Sequence, residues 1–218
     1  MIPVVDYRKL RLHNLNSTEF KHLKFLLYWP LYGLLFLFVE RFYPVQNYFV
    51  VHCSWDDKIP FCEFFVIPYL FWFIYLIGMH LYTLLYDIDA FKKMMKFIIL
   101  TYSVTIVIYL LFPTCQELRP LQFERDNFLT RFMTDFYQFD TNTNVCPSIH
   151  VIGTLAVLFT AFHCKDLKGI GWRVIFMVTT VLICASTVLL KQHSILDVLA
   201  ALPICLVAYF VYFVPRKI

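Results

Sequence analysis

The chain has 218 residues, 60% of them hydrophobic, 19% aromatic and only 16% charged, with a net charge of +4. Soluble domains run at about 45–50% apolar and about 25% charged, and a soluble core of this size cannot hold 24 Phe and 14 Tyr. A soluble globule and a disordered chain are both excluded, and the mean hydropathy of +0.66 is that of an integral membrane protein.

Residues 1–24 carry five basic residues and no apolar core, which reads as a cytoplasmic juxtamembrane segment and not as a cleaved signal. The charge-free stretches 25–39, 64–86, 97–116, 141–164, 174–190 and 198–215 follow. A membrane-crossing helix needs about 20 apolar residues, and strands of a barrel would alternate in polarity instead. The expectation is an all-α, polytopic bundle of six transmembrane helices over 25–214. They run at about 25–40, 61–83, 97–112, 148–164, 172–190 and 194–214. Pro30 kinks the first helix or marks its start.

Between the first two helices lies an outer loop, 41–60, with the run Ser54–Pro60 (SWDDKIP). The segment Tyr86–Lys96 reads as a short cytoplasmic turn, and Gly169 and Gly171 punctuate a second one. The long loop 113–147 contains Phe128, Phe132 and Phe136 at intervals of four, with Leu129, Met133 and Tyr137 beside them. Polar residues occupy the opposite face, so an amphipathic helix is expected there, either on the outer membrane surface or packed against the bundle.

With six spans and the N-terminus inside, 13 of the 19 Lys and Arg fall on the inner side, Arg216 and Lys217 among them. Both termini are therefore expected in the cytoplasm of a multi-pass plasma-membrane protein. The net charge needs anionic lipid and no nucleic acid to explain it. The seven cysteines show no metal-binding spacing, and Cys115 and Cys146 flank the long loop where a bridge is conceivable.

Three polar clusters then fall on one membrane face: Leu118–Pro120, Cys146–His150 and Ser186–Asp197. Pro147 suits the first turn of a helix. Ser148 adds a hydroxyl to the free N–H groups of that terminus, an anion site within reach of His150. His193 and Asp197, four apart, share a helical face, so Asp197 can hold one ring nitrogen and leave the other free to attack phosphorus. Arg119 and Lys191 supply positive charge for phosphate oxygens. Taken singly, each has a plainer reading: His193 and Asp197 as a local hydrogen bond, Ser148 as a helix cap, Arg119 as a loop cation paired with Glu117.

These residues resemble the signature of the type 2 phosphatidic acid phosphatase superfamily, K-x6-R-P, P-S-x-H and S-R-x5-H-x3-D. Arg119–Pro120 match the end of the first element, Pro147, Ser148 and His150 the second, and Ser186, His193 and Asp197 the third, over about 112–197. Phe112 stands where the family has its first Lys, and Thr187 where it has the Arg after Ser186. This cation-poor pattern, with Phe112–Thr114, is also similar to the inositol phosphorylceramide and sphingomyelin synthase branch.

The resemblance implies a phosphohistidine at His193, with Asp197 orienting it and His150 as acid and base. Arg119, Ser148, Ser186 and Lys191 would bind phosphate, Lys191 making up for the missing cations. It implies no metal and no cofactor. The expected function is a lipid-phosphate phosphohydrolase facing outward, with undecaprenyl pyrophosphate or phosphatidate as candidate substrates. Headgroup transfer to an alcohol, an inactive lipid-binding protein, and a metal site of His150, His193 and Asp197 are the alternatives.

Overall fold

The computed structural model describes residues 3–215, so Arg216 and Lys217 lie outside the described residues. The chain is mostly helical. Among the described residues the seven α-helices are α1 (Tyr28–Arg41), α2 (Val66–Tyr86), α3 (Ile88–Leu111), α4 (Phe128–Phe139), α5 (Ile149–His163), α6 (Ile170–Leu189) and α7 (Ile195–Tyr212). Five helical segments are long and apolar enough to cross a membrane: Lys21–Arg41, Glu63–Tyr86, Ile88–Leu111, Ile170–Leu189 and Ile195–Tyr212. The apolar α5 is shorter. Rows of leucine, valine and phenylalanine on α1, α2, α6 and α7 are exposed, the surface that a lipid bilayer covers.

The helix boundaries follow local chemistry. Pro30 lies in the first turn of α1, so it marks a start and not a kink. The expected turn over Tyr86–Lys96 shrinks to Asp87, whose side chain caps α3 by accepting from Ala90 N at 3.0 Å. The charged residues after it therefore belong to α3, with Ala90, Phe91, Met94 and Met95 buried. Gly169 is the N-cap residue of α6 and Gly171 lies inside that helix.

Asn127 caps α4, its Oδ1 accepting from Leu129 N at 2.9 Å and Thr130 N at 3.1 Å. Of the two placements open to this helix, packing on the bundle holds for one face. Met133 is buried with Val66, Tyr69 and Leu190, and Leu129, Phe132, Phe136 and Tyr137 pack around them.

The core lies between α3 and α5, which meet α1, α2, α6 and α7 around them. Phe97, Ile98, Tyr102 and Tyr109 of α3 interlock with Ile152, Ala156, Val157 and Ala161 of α5. Small residues let helices approach closely where no water is available to reward apolar burial. At one end of the bundle the connecting segments are stitched together. Short strands β1 (Phe49–Val50) and β2 (Thr114–Cys115) pair in parallel, and Cys115 bridges to Thr143. This draws the loops 41–60 and 113–147 over the start of α5 and the α6–α7 turn. All seven cysteines are free, Cys115 and Cys146 included.

Candidate active site

The α6–α7 turn and the start of α5 meet through one backbone bond, from Ser148 N to Asp197 O at 3.1 Å. The turn itself is pinned by Gln192 N and His193 N, both donating to Thr187 O at 3.0 Å. His193 Nδ1 donates to Asp197 Oδ2 at 3.0 Å, with Asp197 fully buried. That pair does not lie on a shared helical face. Ser194 is the N-cap of α7, Asp197 is the third helical residue and accepts from Ser194 N at 3.0 Å, and His193 precedes the cap. The contact between His193 and Asp197 is thus part of a capping box extended by one residue.

Ser148 is the N-cap of α5, its Oγ accepting from Val151 N at 3.5 Å. Pro147 therefore stands just outside the helix, its carbonyl held by the Tyr109 hydroxyl at 2.7 Å. His150 falls in the first turn. Its ring lies against Trp72 (centroids 4.5 Å apart) and Tyr69 (4.6 Å), and faces the His193 ring at 5.7 Å. Its Nδ1 is buried without a partner, as is Asp197 Oδ1. Buried polar atoms normally find partners, so two unpaired ones close together make this a candidate site.

His150 and His193 open onto one cavity of about 40 Å³, also lined by Tyr69, Tyr109, Asp140 and Asn144. That is room for a few waters or one small polar group. His193 Nε2 and the backbone N–H groups that begin α5 are the donors and nucleophile available there.

No match is found among protein-family models, curated proteins or solved structures.

The other residues singled out from the sequence are placed differently. The guanidinium of Arg119 donates to the carbonyls of Tyr137 (2.9 Å), Asp140 (2.8 Å) and Thr141 (2.9 Å) and to Gln192 Oε1 (2.6 Å), over the Tyr137 ring. It closes the C-terminal end of α4 and does not line the cavity. Burial lowers its pKa from the ordinary value, against the charge of Asp140. Lys191 turns away altogether. Its backbone is left-handed (φ 53°), and its Nζ donates to Asp56 O at 2.7 Å and Ile59 O at 2.5 Å, securing the 41–60 loop. Ser186 Oγ donates to Ile183 O within α6 at 2.6 Å. Phe112 ends α3 on the exposed surface, and Thr187 is buried with its hydroxyl on Cys184 O. Because Asp197 sits behind His193 on Nδ1, the two do not converge with His150 on one point, as a shared metal would require.

Five contributors carry no sequence signal. Tyr69 and Trp72 look like any aromatic residues of a span. Asp140 and Gln192 form a chain from Arg119: Gln192 Nε2 donates to Asp140 Oδ2 at 3.1 Å, and the Tyr69 hydroxyl donates to the same oxygen at 3.4 Å. Asp56, one of two adjacent aspartates, is buried and accepts from Ser194 Oγ (2.6 Å), Ile195 N (2.9 Å) and Cys53 N (2.9 Å). It clamps the 41–60 loop onto the start of α7.

Proposed function

We propose that the protein is a lipid-phosphate phosphohydrolase of the type 2 phosphatidic acid phosphatase kind, working through a phosphohistidine at His193. The observation that carries this reading is the buried His193–Asp197 pair facing His150 across one small cavity. Asp197 holds the Nδ1 proton, so the Nε2 lone pair points away from it toward phosphorus. In the first step His193 Nε2 bonds to phosphorus, the bond to the leaving oxygen breaks, and His150 gives that oxygen a proton. Water then attacks the same phosphorus, its proton passes to His150, and the N–P bond breaks. The N–H groups at the start of α5 and the Ser148 hydroxyl stabilise the phosphoryl oxygens.

The setting proposed with this chemistry is a six-span protein of the plasma membrane. Both termini are cytoplasmic, and the loops over the site face outward. At 1.5 Å per residue α5 is about 22 Å long, against about 30 Å of hydrocarbon. As the sixth span it begins below the membrane surface, which sets His150 within reach of a lipid headgroup arriving sideways. Exposed Phe128 and Phe139 on α4 and Leu121 before it would rest in the outer interface.

A second reading, headgroup transfer to an alcohol, is favoured by the cavity lining, which among the described residues includes no Lys or Arg. Arg119 and Lys191 are engaged elsewhere, which suits a phosphodiester monoanion better than a phosphomonoester dianion. The test is phosphate release from short-chain phosphatidate, and phosphomonoester release from a phosphodiester lipid, by purified protein in detergent with EDTA, beside His193→Ala. Expected is release that survives EDTA, with acid-labile phosphate on the wild type and none on the variant. Equal release by the variant would overturn the reading.

A further inference from the structure

The cavity has two unlike walls. One carries His150, His193 and Ile149 at the start of α5; the other is the segment between α4 and α5, with Asp140, Thr141, Thr143 and Asn144. On this second wall the hydroxyl donors and one N–H of the Asn144 amide are already taken. Glu40 of α1 receives the hydroxyl of Thr141 (2.6 Å), the hydroxyl of Thr143 (2.9 Å) and the amide of Asn144 (2.7 Å). Beside the second N–H of that amide, what remains are acceptors. Asn144, 4% exposed, has its Oδ1 buried without a partner, and its left-handed backbone (φ 50°) is one that asparagine tolerates. Asp140 uses Oδ2 for Gln192 and Tyr69, and among the described residues its Oδ1 accepts no hydrogen bond.

A phosphoryl oxygen finds no hydroxyl donor on that wall and meets the acceptor oxygens of Asp140 and Asn144 instead. A cationic headgroup is no better suited, since Gln192 joins Asp140 to the guanidinium of Arg119 at 2.6 Å. The group that fits is neutral, small and a hydrogen-bond donor. Resting on the phosphohistidine reading above, we propose that Asp140 and Asn144 form the subsite of the attacking hydroxyl, and that it selects acceptors carrying a second O–H. In the breakdown step the acceptor oxygen bonds to phosphorus, the His193 Nε2–P bond breaks, and one proton passes to His150. The second O–H stays whole and donates to Asp140 Oδ1 or Asn144 Oδ1. Water has that second O–H, a vicinal diol supplies it from the neighbouring carbon, and a monohydric alcohol has none. Burial holds the Asp140 carboxyl above its ordinary value, against the pull of Arg119 and His193. An amide at that position therefore removes a desolvation cost and should fold.

The experiment is product partitioning by the full chain in detergent, with dioctanoyl phosphatidate as donor and ethylene glycol or ethanol at equal concentration. The burst of phosphohistidine is measured first. Expected for the wild type is about tenfold more phosphoryl capture by ethylene glycol than by ethanol, the worth of one well-placed hydrogen bond. Asp140→Asn keeps an acceptor for Gln192, and Asn144→Gly keeps the left-handed backbone. Each should level that preference and slow breakdown of the phosphohistidine more than its formation. Equal capture of both alcohols by the wild type, or an unchanged preference in both variants, would overturn the inference alone. A wild type that forms no phosphohistidine would overturn the parent reading and this one with it.

Discussion

Gly153 is where the site is most sensitive to a single carbon. It lies one turn after His150 in α5, and a Cβ there would stand 2.7 Å from the Tyr102 hydroxyl and 3.0 Å from the Trp72 ring. Both neighbours are buried in the core, Trp72 at 6% exposure and Tyr102 at 1%. Trp72 is also the ring that lies tilted against His150, and Tyr102 donates to the carbonyl of Ile149 at 3.4 Å. Gly153→Ala therefore sets two effects against each other. Alanine inside a helix gains about 1 kcal/mol over glycine, while forcing a methyl group into a packed core costs about 1–3 kcal/mol. Neither ring can swing out to solvent, so the packing cost falls in the upper part of that range, about 2–3 kcal/mol, and the net loss should be about 1–2 kcal/mol.

For a chain of this size each kcal/mol moves the thermal midpoint by about 2–4 °C, so the variant should melt about 2–8 °C lower. Turnover should fall further than stability does. A displacement of about 1 Å in a catalytic group can cost about a hundredfold, and a shift of a few tenths in Trp72 should cost roughly tenfold. The assay pairs the midpoint in detergent with phosphate release well below it. A midpoint that rises by the helix-propensity gain, with turnover unchanged, would refute the idea that Gly153 protects the Trp72 contact on His150. A lower midpoint with full turnover would refute only the link between Trp72 and His150.

Two further changes test the parts that hold the site. Asp56→Asn leaves three donors, from Ser194, Ile195 and Cys53, facing an amide in place of a carboxylate, and should cost about 2–4 kcal/mol. Burial alone would raise the Asp56 pKa, but the bonds from Ser194, Ile195 and Cys53 outweigh it and hold the carboxyl below its ordinary value. The folded value being depressed, the stability it confers is present above the unfolded value near about 4 and is lost as pH falls through the lower folded one. That slope should be present in the wild-type midpoint and absent in the variant; identical profiles would exclude the role. Arg119→Lys replaces a planar fork making four hydrogen bonds with an ammonium that has only three donors. It should lower the midpoint by an amount worth about 1–3 kcal/mol. A raised KM with the midpoint unchanged would instead return Arg119 to the phosphate.

Much of the fold can be read in the charge-free stretches, because a membrane span writes its length directly into the composition. Its boundaries are less legible. Asp87 starts α3 well before the charge-free stretch, since one buried face suffices for a helix to continue through Asp89, Lys92 and Lys93. The site is legible where two residues are close in sequence. His193 and Asp197 do touch, although spacing suggests a shared helical face and the real cause is a capping box with the histidine just outside it. Lys191 shows the limit of such reasoning. Standing two residues from His193 says nothing about direction, and a left-handed backbone sends its ammonium to the opposite loop. Asp140, Asn144 and Glu40 come together only through the β1–β2 pairing and the bridge to Thr143, tertiary events without a periodic trace.

The two helix starts at the site have different electrostatic duties. The N-terminus of α7 is filled by the chain's own carboxylates, Asp197 from within and Asp56 from the 41–60 loop. Those two carboxylates therefore occupy the positive end of that helix beside His193. The N-terminus of α5 carries only the neutral Ser148 cap, and its first N–H groups have no acceptor within the helix. On the proposed reading that terminus alone faces the phosphoryl group. Such a partial charge counts for little in water and for more in a partly enclosed cavity walled by Phe36, Tyr69 and Tyr109. The places where the family pattern has its further cations cannot add to it here, because Phe112 points to the outer surface and Thr187 bonds within α6. A site with two histidines and one helix terminus stabilises one negative charge well and a second one poorly. If phosphatidate and a phosphodiester lipid are both offered, the diester should accordingly be the better donor.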